Sequence, residues 1–482
     1  MKVLFTHSYF LELDPKQLKM RTPFPPLATL YAAAVLREKG FNVKLADLQF
    51  AASATDIEKH IRDYSPDVLV IYDDSFNYLT KMCLTNMRKA AFEMQAIAKK
   101  NNVPVIVSSS DATDHLEKYF LQGADFIIIG EAEQTLLELV QALQNNKQPD
   151  LSLIDGLAVY RNKTLLKSKP RLVLKNLDEL ALPAWNLLNI VPYRNTWMKH
   201  HGYFSINMVT TRGCPYKCNW CAKPVYGNRY NSHSAERIVA QIKELQPFFG
   251  FTHIWFADDI FGLKPGWIEE FNLQIKKQQI KISFKIQSRA DLLLNDTTVK
   301  NLAESGCKEV WMGAESGSQK ILDAMEKGTT LEQVKNATLL LNKYGIKPCF
   351  FLQFGYPGEK MNDIHKTMNM LEELKPHDLG ISISYPLPGT KFYEKVKTEL
   401  STKQNWNDSD DLDLMFKSTF TREFYKVLQR FVHYNFRAQQ AVYEAKHMRF
   451  TKRAMLGPYY FTKRAFLKRK LKSLEANATS LF

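Results

Sequence analysis

The chain has 482 residues, enough for two or three domains, and its 45% hydrophobic and 24% charged residues are ordinary for a globular protein, which excludes a disordered chain. No apolar run reaches the roughly 18 residues of a membrane span. The opening stretch MKVLFTHSYFLELD is too short and too acidic for a signal peptide, so we expect a cytoplasmic protein. The net charge of +15 is concentrated in the segment 449–472, which has basic residues and no acidic ones. This indicates a local basic patch, and we expect no nucleic-acid partner.

Short apolar stretches alternate with helical patterns over residues 1–145. Apolar and polar residues do not alternate within these stretches, which is typical of strands buried on both faces. We therefore predict an α/β domain with a doubly wound parallel sheet, whose ligands lie beyond the carboxyl ends of the strands. Those ends read HSYFLELD, YDDSFNYL, SSSDAT and GEAEQT. The predicted strands are 2–7, 42–46, 67–72, 104–107 and 126–129.

Residues 146–200 are predicted to be a linker, with a hairpin in GLAVYRNKTLLKSKPR and a proline turn in ALPAW. A second β/α series over 201–395 predicts an incomplete, six-unit barrel of the TIM type. Residues 396–482 are predicted to be a helical C-terminal region that ends in the basic tail. The predicted barrel strands are 207–211, 253–256, 283–287, 309–312, 348–353 and 379–384.

Three of the six cysteines, Cys214, Cys218 and Cys221, lie within the segment TTRGCPYKCNWCAKPVYG. The first of them follows a predicted barrel strand, so the three belong to a loop at the face where β/α barrels place catalytic groups. Three thiolates can ligate three irons of a 4Fe–4S cubane and leave the fourth open. The alternative is a zinc site, but zinc normally takes four protein ligands and no second cysteine pair exists.

The Cys-x3-Cys-x2-Cys spacing with Trp220 before the third cysteine resembles the radical S-adenosylmethionine (SAM) superfamily. FADDIFG, GAESGSQKILDAMEKGTT and FGYPGE resemble further elements of that family, in the same order. The resemblance covers about residues 200–395. It implies that SAM chelates the open iron and is cleaved by one electron to a 5′-deoxyadenosyl radical. It also implies a set of SAM contacts, which are Trp220, Asp258, Asp259, Arg289, Glu315, Ser316 and Gly355.

The first 145 residues resemble the flavodoxin-like cobalamin-binding domain found in many radical SAM enzymes, through FPPLATLYAAAVLREKGFNVKLAD and GADFIIIGEAEQTLLELV. The cobalt-ligating motif Asp-x-His-x-x-Gly is missing. Small serines allow close approach of a ligand, and Gly130 precedes a predicted helix N-terminus over 131–135. The resemblance implies cobalamin contacts at the strand ends, which are Asp73, Ser108, Ser109, Ser110, Asp111, Gly130, Glu131 and Thr135.

Several side chains in YDDSFNYLTKMC have two interpretations. Asp73, Asp74, Asn77 and Tyr78 follow a strand and could face cobalamin or substrate; the alternative is that an Asp or Ser here caps the next helix. Cys83 falls within a helical pattern and is predicted to be a core residue.

The resemblance implies C-methylation of a small, hydrophobic or polycyclic molecule, with flavodoxin or ferredoxin as electron donor. One alternative is oxidative ring formation, as in the anaerobic magnesium-protoporphyrin monomethyl ester cyclase. A second alternative is a zinc-bearing nucleic-acid binder. A transfer-RNA methylthiotransferase is disfavoured, since it needs three N-terminal cysteines. The basic, aromatic tail predicts peripheral contact with an anionic membrane, and the alternative for that tail is a solvated helix.

Overall fold

The structure is a computed structural model, and it describes the chain except for residues 83, 146–148, 224, 449–450 and 480–482. Of residues 78 and 477–479 it describes the backbone alone. The predicted core position of Cys83 therefore lies outside the described residues.

A seven-stranded sheet (sheet 1) forms the N-terminal part, in the order β2-β1-β3-β4-β5-β6-β7. The first five strands pair in parallel, as predicted, and most are buried on both faces. The hairpin predicted within the linker adds β6 and β7 to the sheet in antiparallel fashion. The strands are β1 Lys2–Thr6, β2 Asn42–Leu45, β3 Val68–Tyr72, β4 Val105–Ser108, β5 Phe126–Ile128, β6 Leu157–Arg161 and β7 Thr164–Lys167.

A second sheet (sheet 2) has six parallel strands in the order β15-β14-β13-β12-β11-β8 and curls into an incomplete barrel, as predicted. One strand was displaced in the prediction: 207–211 was expected, whereas β8 ends at Met208. The chain turns there because the amides of Thr210 and Thr211 donate to the Asp258 carboxylate instead of continuing the ladder. The remaining strands are β8 Ser205–Met208, β9 Thr211–Arg212, β10 Asn231–Ser232, β11 His253–Phe256, β12 Ser283–Ser288, β13 Cys307–Glu315, β14 Lys347–Phe354 and β15 Asp378–Ile383.

Helices cover both faces of sheet 1 and the outside of sheet 2. One hydrophobic cluster runs without a break from sheet 1 through the barrel into the C-terminal helices, and a second fills the other face of sheet 1. The α-helices are α1 Pro15–Met20, α2 Leu27–Glu38, α3 Ile57–Tyr64, α4 Tyr78–Lys81, α5 Thr85–Lys100, α6 Ser110–Asp114, α7 Leu116–Leu121, α8 Glu133–Gln144, α9 Val191–His201, α10 Ala235–Phe249, α11 Trp267–Lys277, α12 Asp296–Glu304, α13 Gln319–Ala324, α14 Leu331–Lys343, α15 Met361–Leu374, α16 Lys391–Val396, α17 Arg422–Lys446, α18 Lys452–Met455 and α19 Gly457–Thr479.

Short 3-10 helices complete the regular structure. They are Leu11–Leu13, Ala54–Asp56, Leu177–Glu179, Trp185–Leu187, Ala290–Leu293 and Lys397–Glu399. Within the described ranges, none of the helices combines the length and the apolar character needed to cross a membrane.

The C-terminal region is helical from α17 onward, but residues 400–416 form an irregular segment that we call the strap. Its Asp and Asn side chains bond nearby backbone amides, as in Asp411 with Asn407, and so compete with helix formation. The strap returns to the N-terminal part, where Thr85 donates its amide to the Trp406 carbonyl at 2.8 Å and Ser409 bonds Asp14. The strap thereby joins the C-terminal region to the N-terminal part of the chain.

Trp406 anchors the strap, and its loss tests this packing. The indole is fully buried, stacks on Tyr385 at 4.5 Å and donates to the Asp413 carbonyl. We expect Trp406→Ala to lower the free energy of unfolding by about 3–5 kcal/mol, measured by denaturant titration. The matched control Phe248→Ala removes a ring that is 78% exposed and should change little. Equal stability of the two variants would contradict the packing of the strap.

Candidate active site

The three cysteines lie on one loop that follows β9. Its entry requires Gly213, which has a φ of +80° and where an added Cβ would collide with the Arg229 carbonyl oxygen. All three thiols are free, and the Cys221 amide donates to the Cys218 carbonyl at 3.3 Å. The loop carries the three sulfurs at the carboxyl end of the barrel strands, near enough for Cys214 and Cys218 to act electrostatically on Cys221.

Cationic side chains surround these thiols. Arg289 points Nη1 toward the Cys218 sulfur at 3.9 Å, and its guanidinium lies 3.7 Å from the centroid of the Tyr216 ring. Burial raises the pKa of Cys221 to about 12, against the opposing charge of Lys223. A buried thiol gives up its proton when a metal takes its place, and the nearby cations favour the thiolate form.

The loop fits a 4Fe–4S cluster by the chemistry of its donors. Each of the three thiolates would bind its own iron, which leaves one iron for a small ligand. In the described part of the chain, no three His, Cys, Asp or Glu side chains are grouped to hold a single metal ion.

The two aspartates predicted to contact SAM have different roles in the structure. Asp258 is buried, and its carboxylate accepts hydrogen bonds from the amides and hydroxyls of Thr210 and Thr211. Burial raises the pKa of Asp258 to about 7, whereas the four donated hydrogen bonds favour the ionised form. Asp258 therefore holds the chain ahead of the cysteine loop in place, and its contact with SAM stays a prediction.

Asp259 points the other way, and its side chain is 37% exposed beside the cysteine loop. It accepts a hydrogen bond from Lys81 of α4 at 2.9 Å and acts electrostatically on Cys214 and Cys221. Asp259 is thus the more exposed of the two aspartates, and its contact with a SAM ammonium group also stays a prediction.

Glu315 ends β13 at a bulge and has a φ of +56°. Its carboxylate pairs with Lys327 at 2.8 Å, and both side chains are buried. Gly313 is required beneath them, because an added Cβ would collide with both charged groups. Lys327 also lies 5.8 Å from the centroid of the Trp220 ring. Glu315 and Trp220 therefore share one cation beside the cysteine loop.

The other predicted SAM contacts are buried at the same end of the barrel. Ser316 shares a hydrogen bond with Thr367, and Gly355, at a φ of +81°, donates its amide to Glu359 at 2.7 Å. Burial raises the pKa of Glu359 to about 8, and its second oxygen has no hydrogen-bond partner among the described residues. Contact of Ser316, Gly355 and Arg289 with SAM stays a prediction.

A cleft opens at the carboxyl edge of sheet 1, between the ends of β3 and β4 and the cysteine loop. Its walls include Asp73, the serines Ser108–Ser110, and Val225, four residues beyond Cys221. Asp73 accepts two hydrogen bonds from Ser8, and Ser109 caps α6 through the Ala112 amide. Small hydroxyl side chains and a backbone edge suit a large polar group, so the residues fit cobalamin in chemistry and in position.

The free space in this cleft is only about 10 Å³, far below the roughly 300–1,000 Å³ of pockets that accommodate drug-sized ligands. Cobalamin is larger than such ligands. Its binding would therefore require the strand ends and the Val225 segment to move apart.

Three of the predicted cobalamin contacts have protein partners in the structure, and their contact with cobalamin stays a prediction. Asp111 forms a bidentate pair with Arg88 and accepts from Tyr119. Glu131 pairs with Arg212, and the Thr135 hydroxyl donates to the Asp155 carbonyl. The helix predicted over 131–135 begins at Glu133. Gly130 has the left-handed conformation, at a φ of +82°, next to Val225.

The next helix, α4, is capped from within YDDSFNYL, as predicted, but by Asn77, which accepts from the Leu79 amide, and not by an Asp or Ser. Asp74 accepts instead from the first two amides of α2, which precedes it in the chain. The side chain of Tyr78 lies outside the described residues.

Sequence reasoning missed Arg212 and Lys327, although both lie inside the quoted segments TTRGCP and MEKGTT. The available signals were a cation two residues before Cys214 and a cation shortly after the acidic segment GAESG.

Two family models match the chain: the radical SAM superfamily over residues 208–371 and the B12 binding domain over residues 18–140. An uncharacterised methyltransferase of Pyrococcus horikoshii is 29% identical over 86% of this chain and 88% of its own length. The anaerobic magnesium-protoporphyrin IX monomethyl ester cyclase of Synechocystis is 24% identical over 77% of this chain and 72% of its own.

Among solved structures, the cobalamin-dependent SAM radical enzyme OxsB superposes with a TM-score of 0.76 at 18% identity, over 98% of this chain and 72% of that one. This likeness shows the shared fold. The matched domains define the class, an enzyme that uses an iron–sulfur cluster with SAM beside a cobalamin-binding domain. The chain belongs to the radical SAM superfamily, in its branch with a B12 binding domain.

Replacing one cysteine of the loop tests the cluster assignment. We expect Cys218→Ala to lose the 4Fe–4S cluster and the formation of 5′-deoxyadenosine, because two thiolates hold a cubane poorly. Iron and sulfide analysis after anaerobic reconstitution, followed by chromatography of the reduced reaction, measures both. The control Cys307→Ala removes a buried cysteine of β13 and should keep both. Full SAM cleavage by Cys218→Ala would refute the assignment.

Proposed function

We propose that this enzyme transfers a methyl group from SAM, by way of cobalamin, to a carbon atom of a hydrophobic small molecule. The observation that supports this most is the shared wall of the two sites. Val225 lines the cobalamin cleft and belongs to the same loop as Cys214, Cys218 and Cys221. A radical source and a methyl donor on either side of one loop can act on the same substrate atom.

When bound, the cluster and SAM supply a 5′-deoxyadenosyl radical that removes hydrogen from an unactivated carbon, and cobalamin supplies the methyl group. The protein's residues position these groups. Cys214, Cys218 and Cys221 would hold the cluster, while the N–H groups of Arg289 would stabilise charge on the Cys218 sulfur. The Asp259 carboxylate would accept hydrogen bonds from the SAM ammonium group, in competition with the ammonium group of Lys81.

The inner face of the barrel supports a hydrophobic substrate. Along β13 and β14 the residues Val310, Met312, Phe350 and Leu352 are fully buried against the helices, so their neighbours point into the barrel. The inward rings of Trp311 and Phe351 stack at 4.9 Å, and Phe351 is still 36% exposed. An exposed aromatic pair inside a barrel is a surface on which a flat apolar molecule can pack.

The balance of the proposed reaction fixes what it consumes. One C–H bond becomes a C–CH3 bond at the expense of two SAM molecules and two electrons. The products are 5′-deoxyadenosine, methionine and S-adenosylhomocysteine. Both electrons need an external donor, for which we propose flavodoxin or ferredoxin.

Oxidative ring formation is the second candidate, and the similarity to the Synechocystis cyclase favours it. Both reactions begin with hydrogen abstraction, but ring formation transfers no methyl group.

The fate of the methyl group separates the two candidates. We expect SAM with a deuterated methyl group, added with reductant and a small-molecule cell extract, to yield a product that carries the deuterium. High-resolution mass spectrometry measures it, and the matched Cys218→Ala protein should give no labelled product. An unlabelled product with fewer hydrogens than its precursor would contradict methyl transfer and support ring formation.

We also propose that the tail rests on an anionic membrane surface. Leu467 and Leu471 of α19 are buried, and α19 packs along α17. Its outer face exposes Tyr459, Phe461 and Phe466 among lysines and arginines. Exposed aromatic rings between basic residues are typical of helices that lie in the membrane interface.

Charge reversal on α19 tests this contact. Each basic residue near an anionic surface contributes about 1 kcal/mol, so Lys468→Glu combined with Arg469→Glu should reduce binding to phosphatidylserine vesicles at least tenfold. Vesicle flotation measures the bound fraction. The control Lys335→Glu with Lys343→Glu changes exposed charges on the barrel helix α14 and should have no effect. Equal flotation of both double variants would indicate a solvated helix.

A further inference from the structure

Arg212 lies between β8 and the cysteine loop, two residues before Cys214, and its side chain is only 3% exposed. Its Nη2 donates to Glu133 at 2.6 Å, and its Nη1 donates to Glu131. Both glutamates belong to the N-terminal part of the chain, at the start of α8. One guanidinium therefore joins the strand that leads into the cluster loop to the helix that follows Gly130.

Aromatic rings enclose this ion cluster. The guanidinium carbon lies 5.5 Å from the ring centroid of Tyr31, 5.7 Å from that of Phe76 and 5.2 Å from that of Tyr226. Tyr226 belongs to the cysteine loop and also shares a 2.8 Å hydrogen bond with Ser75 of the N-terminal part. Such rings exclude water, which strengthens the ion pairs and makes an unpaired carboxylate there costly.

The same contacts surround the cobalamin cleft. Ser75 and Val225 line it, and Val225 precedes Tyr226 directly. Because the cleft is smaller than cobalamin, binding would displace the Val225 segment, while Arg212 holds the entry of the loop in place. Displacement of one end of a loop whose other end is fixed changes the arrangement of the three cysteines between them.

We propose that Arg212 is a positioning residue that couples occupancy of the cobalamin cleft to the geometry of the cluster loop. The coupling rests on the proposed function, in which both sites act on one substrate. Without the Arg212 guanidinium the 4Fe–4S cluster would still cleave SAM, but the radical and the methyl donor would no longer be aligned on one carbon. SAM would then be consumed without methylation.

Two variants separate positioning from folding. Arg212→Lys keeps one positive charge in the cage but cannot bond both glutamates in the planar, two-pronged manner of a guanidinium. Arg212→Met removes the charge. The control Arg437→Met breaks a 2.7 Å ion pair with Asp378 at the opposite, amino end of β15. Iron and corrinoid contents of the full-length proteins identify any variant that fails to assemble. If Arg212→Met fails to assemble, the proposal is tested on Arg212→Lys.

The first readout needs no turnover. Hydrogen–deuterium exchange of the peptides over 212–226 is measured before and after hydroxocobalamin is added. We expect the wild type and Arg437→Met to change exchange in this loop, and Arg212→Lys to lose that response while it still binds the corrinoid. Equal responses of Arg212→Lys and wild type, or no response in the wild type, would overturn the proposal.

The second readout is the number of 5′-deoxyadenosine molecules formed per methylated product. We expect Arg212→Lys to raise this ratio about fivefold or more, in the range of typical coupling between sites, with SAM cleavage retained. An unchanged ratio would count against the coupling. A wild type that shows the exchange response but transfers no methyl group would refute the proposed function and leave the coupling standing.

Discussion

A guanidinium buried between two carboxylates holds the two halves of this enzyme together. The three side chains of Arg212, Glu131 and Glu133 are buried from solvent and carry two negative charges against one positive charge. Removal of the guanidinium would therefore leave two buried carboxylates without their cation. This one contact links the strand that leads into the cysteine loop to the start of α8. The continuous hydrophobic cluster that runs across both sheets makes the arrangement rigid around it.

Buried carboxylates elsewhere in the site also hold the backbone in place. Asp258 collects four hydrogen bonds from two threonines, and Asp74 receives the amides that begin α2. Loops at the carboxyl ends of strands expose amides with no partner in a helix or sheet, and a carboxylate satisfies several of them at once. Asp259, by contrast, is 37% exposed beside the cysteine loop and pairs there with Lys81.

The sequence predicted the fold well because its signals are local. Strands buried on both faces appear as short apolar runs, and the cysteine spacing lies within eight residues. What the sequence did not predict has a common origin in contacts between distant residues. Asp111 bonds Arg88, 23 positions earlier, and Glu131 bonds Arg212, 81 positions later, and a local pattern does not show such partners. The irregular strap was likewise predicted as helix, because its stability comes from Tyr385 and the N-terminal part and not from its own pattern.

The central claim is that one SAM molecule gives up its adenosyl group and another its methyl group on the two sides of a single loop. The stoichiometry of a complete turnover tests this most directly. Simultaneous quantification of 5′-deoxyadenosine, S-adenosylhomocysteine and product should give equal amounts of all three in the wild-type enzyme. Formation of 5′-deoxyadenosine and product without S-adenosylhomocysteine would contradict the claim.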